Sequence, residues 1–303
     1  MKKLKHWFVC LDLSKMDEAL INYVKFLSDQ LDPSTISFLH IVESESISND
    51  MMTLFPELKS QQDFDEIIRD ELTDKVTAVF QDQDFETRVI IKQGRPTDEI
   101  IKVIRTMDPD LLVMGKKTGY KGKGMLAQKI VKYVPSSILL VPETSRYSLQ
   151  NILVPVDFSK QAANAVRAAT RLSLDTGCSI FAQHVFRYPA HFFPYIPSEK
   201  EEEKIRTHLN EKAKKFIKEY EISDEVTFIN SVLKQGEKAA EVYNETVRNQ
   251  ADMILMATKG NKTLSSLLRD DFSDKIINYS FGIPLFILKN KETHQKYLDA
   301  FAN

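Results

Sequence analysis

The sequence predicts an α/β protein of two tandem doubly wound domains, each a parallel sheet with helices on both faces. Strand-like and helix-like segments alternate along both halves of the 303 residues. Several strand-like segments are continuous apolar runs, including WFVCL, LLVM, ILLV and MILM, which is typical of strands buried on both faces. The chain also repeats itself, because LKHWFVCLDLSK from Leu4 and LQNILVPVDFSK from Leu149 match at five of twelve positions. A repeat of this length indicates a duplicated domain rather than a solenoid unit.

In the first half, apolar runs bounded by turn residues predict five strands, and amphipathic segments between them predict four helices. The strands are His6–Asp12, Thr35–Val42, Glu86–Lys92, Leu111–Gly115 and Ser137–Val141. The helices are Met16–Leu31, Gln62–Phe80, Thr97–Thr106 and Gly124–Val134.

The second half repeats the same succession of patterns. Its strands are Asn151–Asp157, Ser179–Phe186, Val226–Leu233, Met253–Thr258 and Leu285–Leu288. Its helices are Lys160–Thr176, Ser198–Glu219, Glu237–Asn249 and Phe272–Tyr279. We therefore expect one domain over residues 1–145, a second over 149–290, and a C-terminal tail over 291–303 that has no counterpart in the first copy.

Composition narrows the class of protein. A formal net charge of −2 predicts no partnership with nucleic acid or an anionic membrane. No run approaches the roughly 18 apolar residues of a membrane helix. Cys10 and Cys178 form no C-x-x-C pair, so neither a disulfide framework nor a zinc site is expected. These features favour a cytoplasmic protein without a metal.

A candidate ligand site lies where the first strand of each copy ends. Ligands of open parallel sheets bind beyond the carboxyl ends of the strands, at the point where the strand order reverses. Asp12 and Asp157 stand at these ends and could accept hydrogen bonds from a ribose hydroxyl or a base amine. Each is followed by a serine and then a helix, so helix capping is the alternative interpretation.

The segment after the fourth strand of the first copy suggests an anion site. It contains Gly115 and Gly124, with Lys116 and Lys117 between them. Glycines let backbone N–H groups approach an anion, and the next helix N-terminus adds partial positive charge. A solvated lysine loop is the alternative interpretation.

The corresponding segment of the second copy is less suited to phosphate. Met256 lies near the end of its fourth strand and only Gly260 remains of the glycines, so these two residues complete the candidate set. Asp270 and Asp271 precede the next helix, where they would repel a phosphate but suit a helix N-terminus without a ligand. We therefore expect this copy to be the worse site for a triphosphate.

Taken together, these residues resemble the universal stress protein domain in its tandem form. The shared features are an Asp ending the first strand, His40 in LHIVE, His184 in QHVFR, fourth strands that end in Met-Gly or Met-Ala, and an Ile/Val-rich last strand. The resemblance covers residues 4–142 and 149–289. It implies five-stranded parallel sheets of order 3-2-1-4-5 and a stress-response role in the cytoplasm. It also implies pairing of the domains as an intramolecular pseudo-dimer, or of chains as a homodimer.

The resemblance also bears on the ligand. One branch of the family binds ATP or related nucleotides through G-x2-G-x9-G-(S/T), and the other branch binds none. Both copies depart from this motif, because Thr118 replaces the second glycine of the first copy and Ala257 the first glycine of the second. If a ligand binds, adenine nucleotide (ATP or AMP) near Asp12 and the Gly115–Gly124 loop is the first expectation.

Two other functions stay open at this stage. One is a nucleotide-free interaction module that holds an apolar small molecule or a protein partner, with an aromatic loop over residues 187–197. The other is a weak ATP hydrolase. No sequence motif for a metalloprotease, a serine hydrolase or a P-loop is present, so a catalytic triad is not expected.

Overall fold

The computed structural model describes residues 4–43, 60–116, 125–188, 199–233, 236–257, 271–278 and 282–289. The chain divides into two compact units, whose described parts lie within residues 4–147 and 148–289. The tail expected over residues 291–303, and residues 189–197 of the aromatic loop, lie outside the described residues.

Strands and helices alternate along the described part of the first unit. Its strands are β1 (His6–Leu11), β2 (Thr35–Val42), β3 (Glu86–Gln93), β4 (Leu111–Lys116) and β5 (Ser137–Pro142). Its helices are α1 (Met16–Leu31), α2 (Gln61–Phe80), α3 (Pro96–Met107) and α4 (Met125–Tyr133).

The second unit repeats this arrangement in its described residues. Its strands are β6 (Asn151–Pro155), β7 (Ser179–Arg187), β8 (Val226–Leu233), β9 (Met253–Ala257) and β10 (Leu285–Leu288). Its helices are α5 (Lys160–Thr176), α6 (Glu199–Tyr220), α7 (Lys238–Arg248) and α8 (Asp271–Asn278).

The strand order is the same in both units and confirms the predicted doubly wound fold. The first unit has the order β3-β2-β1-β4-β5, and the second has β8-β7-β6-β9-β10. Neighbouring strands within each unit run parallel; Trp7, for example, lies opposite Ile36 of β2 and Leu111 of β4. The strand order therefore reverses beside β1 and beside β6, which is where a ligand is expected.

The apolar runs form the core, as their lack of alternation predicts. Side chains of the strands are buried, among them Trp7, Leu112 and Leu139 in the first unit and Ile152 and Ile254 in the second. Covering helices bury one face; α1, for example, buries Leu20, Val24 and Leu27.

Many boundaries differ from the prediction by one residue, and the starts or ends of two elements illustrate how. Helix α3 begins one residue early, at Pro96, because proline lacks an N–H group that the first turn of a helix leaves unpaired. Strand β6 ends at Pro155, two residues before the predicted Asp157. The N–H of Val156 still donates to the Gln183 carbonyl oxygen at 2.7 Å, so contact with β7 continues one residue beyond the strand.

Candidate functional site

Both units make the same turn between their first strand and first helix. Asp12 accepts a hydrogen bond from the N–H of Ser14 through Oδ1 at 3.1 Å, and Asp157 accepts one from the N–H of Ser159 at the same distance. The residue in the middle is left-handed in both, with φ of 59° at Leu13 and 60° at Phe158. This conformation is costly for residues other than glycine, so the surrounding structure must hold the turn in place.

Helix capping, the alternative interpretation, holds for one of the two serines of these turns. Ser159 is the N-cap of α5, and its Oγ accepts from the N–H of Ala162 at 3.2 Å. Ser14 instead accepts from the N–H of Met16, and α1 has no side-chain cap. Each aspartate therefore shapes a local turn with one oxygen, whatever else it contacts.

A histidine from the second strand contacts the backbone carbonyl oxygen just before each turn. His40 Nδ1 lies 3.0 Å from the Leu11 carbonyl oxygen, and His184 Nδ1 lies 2.8 Å from that of Val156. A carbonyl oxygen only accepts, so Nδ1 carries a proton in both rings. The equivalent histidines thus share a structural role at the residue that precedes each aspartate.

In the second unit this histidine also belongs to an aromatic cluster. The rings of Phe158 and His184 lie 4.3 Å apart between centroids, and Phe216 meets Phe158 edge to face at 5.5 Å. Burial lowers the pKa of His184 below its ordinary value of 6.5 and outweighs the Val156 carbonyl, which acts in the opposite direction. The packing around Phe158 therefore favours the neutral form of this imidazole.

This shift predicts a pH dependence of stability. The unfolded chain binds a proton at about pH 6.5 that the folded chain takes up only at lower pH. The contribution of His184 to the free energy of unfolding should therefore be complete above about pH 6.5 and decline as the pH falls toward the folded pKa. Urea unfolding of the wild type and of His184→Asn between about pH 5 and pH 8 measures it, with a shallower dependence expected for the variant. A titration midpoint for His184 at or above 6.5 by NMR would contradict the prediction.

A cavity of about 250 Å³ opens beside this turn in the second unit. It lies at the carboxyl ends of β6, β7 and β9, between the N-terminal parts of α5 and α7. This is the point where the strand order reverses. Val156, Val185, Val242 and Met256 supply apolar lining.

The polar residues that line this cavity are Asp157, Ser159, Gln161, Gln183, His184 and Lys238. Asp157 contributes a carboxylate, Gln183 an amide, and Lys238, the exposed first residue of α7, a cation. Glu237, the N-cap of α7, makes no side-chain hydrogen bond to the N–H groups in the first turn of that helix.

Gln183 is the unusual member of this set, because it is only 1% exposed. Its Nε2 donates to Ser231 Oγ at 2.9 Å and to the Glu241 carbonyl oxygen at 3.4 Å. Since that carbonyl only accepts, the orientation of the amide is determined, and Oε1 is the atom left without a hydrogen-bond partner in the described structure. A buried acceptor without a donor is costly and is a reason to expect a ligand donor nearby.

The residues predicted from the sequence fall into three groups. Asp157 and Met256 line the cavity. Asp12, Gly115 and Lys116 lie at the corresponding strand ends of the first unit, where burial lowers the pKa of Lys116 to about 8. Lys117, Gly124 and Gly260 lie outside the described residues, as does Asp270.

Sequence reasoning missed Gln183 and Lys238. The available signal was the difference between the two copies, because Leu39 and Pro96 occupy the equivalent positions in the first. Among the described residues, no group of three or more His, Cys, Asp or Glu side chains could hold a metal ion. No helix in the described part of the chain is long and apolar enough to cross a membrane.

Comparison with known proteins assigns the sequence to a family. The model of the universal stress protein family matches twice, over residues 4–142 and 148–285. A universal stress protein from Methanothermobacter thermautotrophicus is 28% identical over 126 residues, which cover 37% of this chain and 86% of the relative.

Solved structures support the fold across both units. A universal stress protein from Archaeoglobus fulgidus aligns with a TM-score of 0.67 and 19% identity, over 95% of this chain and 99% of that chain. A protein of unknown function from Pseudomonas aeruginosa PAO1 aligns with a TM-score of 0.65 and 12% identity, over 99% and 97% respectively.

Proposed function

Because this chain belongs to the universal stress protein family and carries its domain twice, we propose that it is a non-enzymatic stress-response protein that binds an adenine nucleotide, AMP or ATP, in the cavity of the second unit. The observation that carries this proposal is the cavity itself, with the Asp157 carboxylate, the Gln183 amide and the Lys238 cation around an apolar interior.

The lining matches the parts of a nucleotide. Asp157 is an acceptor for a ribose hydroxyl or a base amine, and Gln183 Oε1 is an acceptor that lacks a donor. The valines and Met256 offer apolar surface to the faces of a base. Lys238 and the N-terminus of α7 favour an anion, as a phosphate group requires.

The volume argues for a small ligand. Ligand cavities commonly enclose roughly 300–1,000 Å³, and this one encloses about 250 Å³. A nucleoside or its monophosphate suits that space better than a long apolar chain. This favours the nucleotide over the alternative of an interaction module that holds an apolar molecule.

Binding should depend on Asp157. In Asp157→Asn the side chain can still accept from the N–H of Ser159, so the turn is kept while the charge is lost. We expect the affinity for AMP to fall by about tenfold or more, because a hydrogen bond to a charged acceptor contributes about 1.5–3 kcal/mol. Isothermal titration calorimetry with AMP, ATP and adenosine measures the effect.

The matched control is Asp175→Asn, an exposed carboxylate on α5 that pairs with Arg171 outside the cavity. It should leave the affinity for AMP unchanged. A thermal shift series that includes a fatty acid tests the ligand class, since a ligand at 100 times its Kd adds about 2.7 kcal/mol of stability. No shift with any nucleotide, or a shift with the fatty acid alone, would overturn the proposal.

The family also motivates proposals about cell biology. We expect the protein to act in the cytoplasm as a stress adaptor and its two copies to pair within the chain. Separate experiments, fractionation for the location and cross-linking for the pairing, test these two points.

A further inference from the structure

Three of the positions at which the two copies differ lie around the aspartate turn and the end of the fourth strand. The first-strand turns are equivalent at a spacing of 145 residues and the fourth strands at a spacing of 142. Gln161, Ala162 and Ala257 line the cavity of the second unit. Met16, Asp17 and Gly115 occupy the equivalent positions in the first.

In the first unit, the side chain of Met16 occupies the space beside Gly115. It is the first residue of α1 and is only 4% exposed. A Cβ atom built on Gly115 would lie 2.7 Å from Met16 Cγ and 3.1 Å from Met16 Cε. The methionine therefore lies directly on the glycine, and the alanine of the second copy would not fit there. Gly115 is explained by this close approach of a side chain and needs no ligand.

The side chain of Asp17 binds the backbone of the aspartate turn in the first unit. Its carboxylate is 2% exposed and accepts from the N–H groups of Asp12 at 3.0 Å and Leu13 at 2.8 Å. The methyl group of Ala162 can accept nothing at the equivalent position of the second copy. The first unit thus places the buried carboxylate of Asp17 beside the exposed carboxylate of Asp12, and this additional negative charge repels a phosphate group.

The first unit also lacks the two polar groups that sequence reasoning missed. Leu39 replaces Gln183, and Pro96 replaces Lys238. An apolar side chain and a proline supply neither the amide acceptor nor the cation. Shape and charge therefore both oppose binding of the same ligand at the two turns.

From these contacts we infer that the chain binds one nucleotide, in the second unit, and that Met16 and Asp17 close the equivalent space of the first unit. This inference rests on the proposed function and states where and how often the ligand binds. The aspartate turns and their histidines are shared by both units as structural elements, and the residues around them decide which turn is open.

Exchange of the differing residues tests this directly. The closing variant combines Gln161→Met, Ala162→Asp and Ala257→Gly and leaves Asp157, Gln183 and Lys238 in place. Calorimetric titration with AMP should give one bound AMP per wild-type chain and none for the closing variant. The reciprocal variant, Met16→Gln with Asp17→Ala, controls for substitutions at a strand-end turn and should keep the wild-type site at unchanged affinity.

Several outcomes overturn the inference alone: two AMP molecules per wild-type chain, unchanged affinity in the closing variant, or loss of binding in the reciprocal variant. If the closing variant does not fold, as judged by circular dichroism, Asp157→Asn supplies the same information. One site per chain predicts that this variant loses or weakens all AMP binding, whereas two sites predict that half remains at full affinity. A wild type that binds none of AMP, ATP and adenosine overturns the proposed function and this inference with it.

Discussion

Replacing Trp7 with alanine should destabilise the first unit by about 3–5 kcal/mol, which is the usual range for removal of a buried large aromatic side chain. Trp7 is 0% exposed and lies in β1, between Ile36 of β2 and Leu111 of β4. Its Nε1 donates to the Leu4 carbonyl oxygen at 2.7 Å. The variant therefore leaves a cavity beside β1, the central strand, and leaves the Leu4 carbonyl oxygen without its hydrogen-bond donor. Since domain stabilities are about 5–15 kcal/mol, this is a large fraction of the total.

Urea unfolding followed by circular dichroism measures this loss, because Trp7 is the only tryptophan and its removal abolishes tryptophan fluorescence. Trp7→Phe serves as the control, since it keeps an aromatic ring but loses the Leu4 hydrogen bond, and it should lose less stability than the alanine variant. Equal stability of the wild type and Trp7→Ala would show that β1 is not the centre of this core.

Replacing Asp110 with alanine should destabilise the first unit by about 2–4 kcal/mol, because two backbone donors lose a charged acceptor. Asp110 precedes β4 and is 6% exposed. Its Oδ2 accepts from the N–H groups of Lys5 at 3.0 Å and His6 at 3.1 Å, where β1 begins. Its own N–H donates to the His6 carbonyl oxygen at 2.8 Å. One side chain therefore aligns the starts of the two strands that flank the strand-order reversal.

The second unit repeats these contacts, so the prediction can be tested a second time in the same protein. Asp252 Oδ2 accepts from the N–H groups of Gln150 at 2.7 Å and Asn151 at 3.1 Å. Asp252→Ala should destabilise the second unit comparably, and Asp110→Asn should cost less than Asp110→Ala, because an amide oxygen still accepts. Urea unfolding curves measure all three.

Asp29→Ala removes an exposed partner of Lys25 and should change stability by less than about 0.5 kcal/mol. A loss for Asp110→Ala as small as that control would contradict the prediction.

The repeated contacts of the two aspartate turns and their histidines separate structure from function in this protein. A feature that both units share, such as the contact of His40 or His184 with the preceding carbonyl oxygen, is explained by the fold. A feature present in one unit only needs another reason. Gln183 and Lys238 are of the second kind, and both line the cavity.

Most of the fold could be predicted from the sequence because its signals are local. Apolar runs such as Leu111–Met114 predicted buried parallel strands, and the structure pairs them so. The strand order followed from the resemblance to a family rather than from any local pattern. Element ends were less predictable, as Pro155 shows, because the end of a strand and its last hydrogen bond to a neighbouring strand can differ by a residue or two.

The candidate site was predicted only in part. Asp157 and Met256 were identified, because a polar residue or a change of pattern marks the end of a strand. Gln183 was not, since a glutamine within a strand gives no sign of whether its amide is satisfied. Its orphaned Oε1 depends on the positions of Ser231 and Glu241, which lie 48 and 58 residues away in the sequence.

By itself, the sequence determined a duplicated parallel α/β fold with an aspartate at the end of each first strand, because hydrophobic runs and internal repeats are properties of the chain as written. Only the tertiary structure showed that the turn at Asp157 stands beside a cavity. A glycine after a buried strand admits a phosphate or a neighbouring side chain equally well, and Met16 lies on Gly115 across 99 residues of sequence. That contact exists only after the sheet has brought the ends of β1 and β4 together.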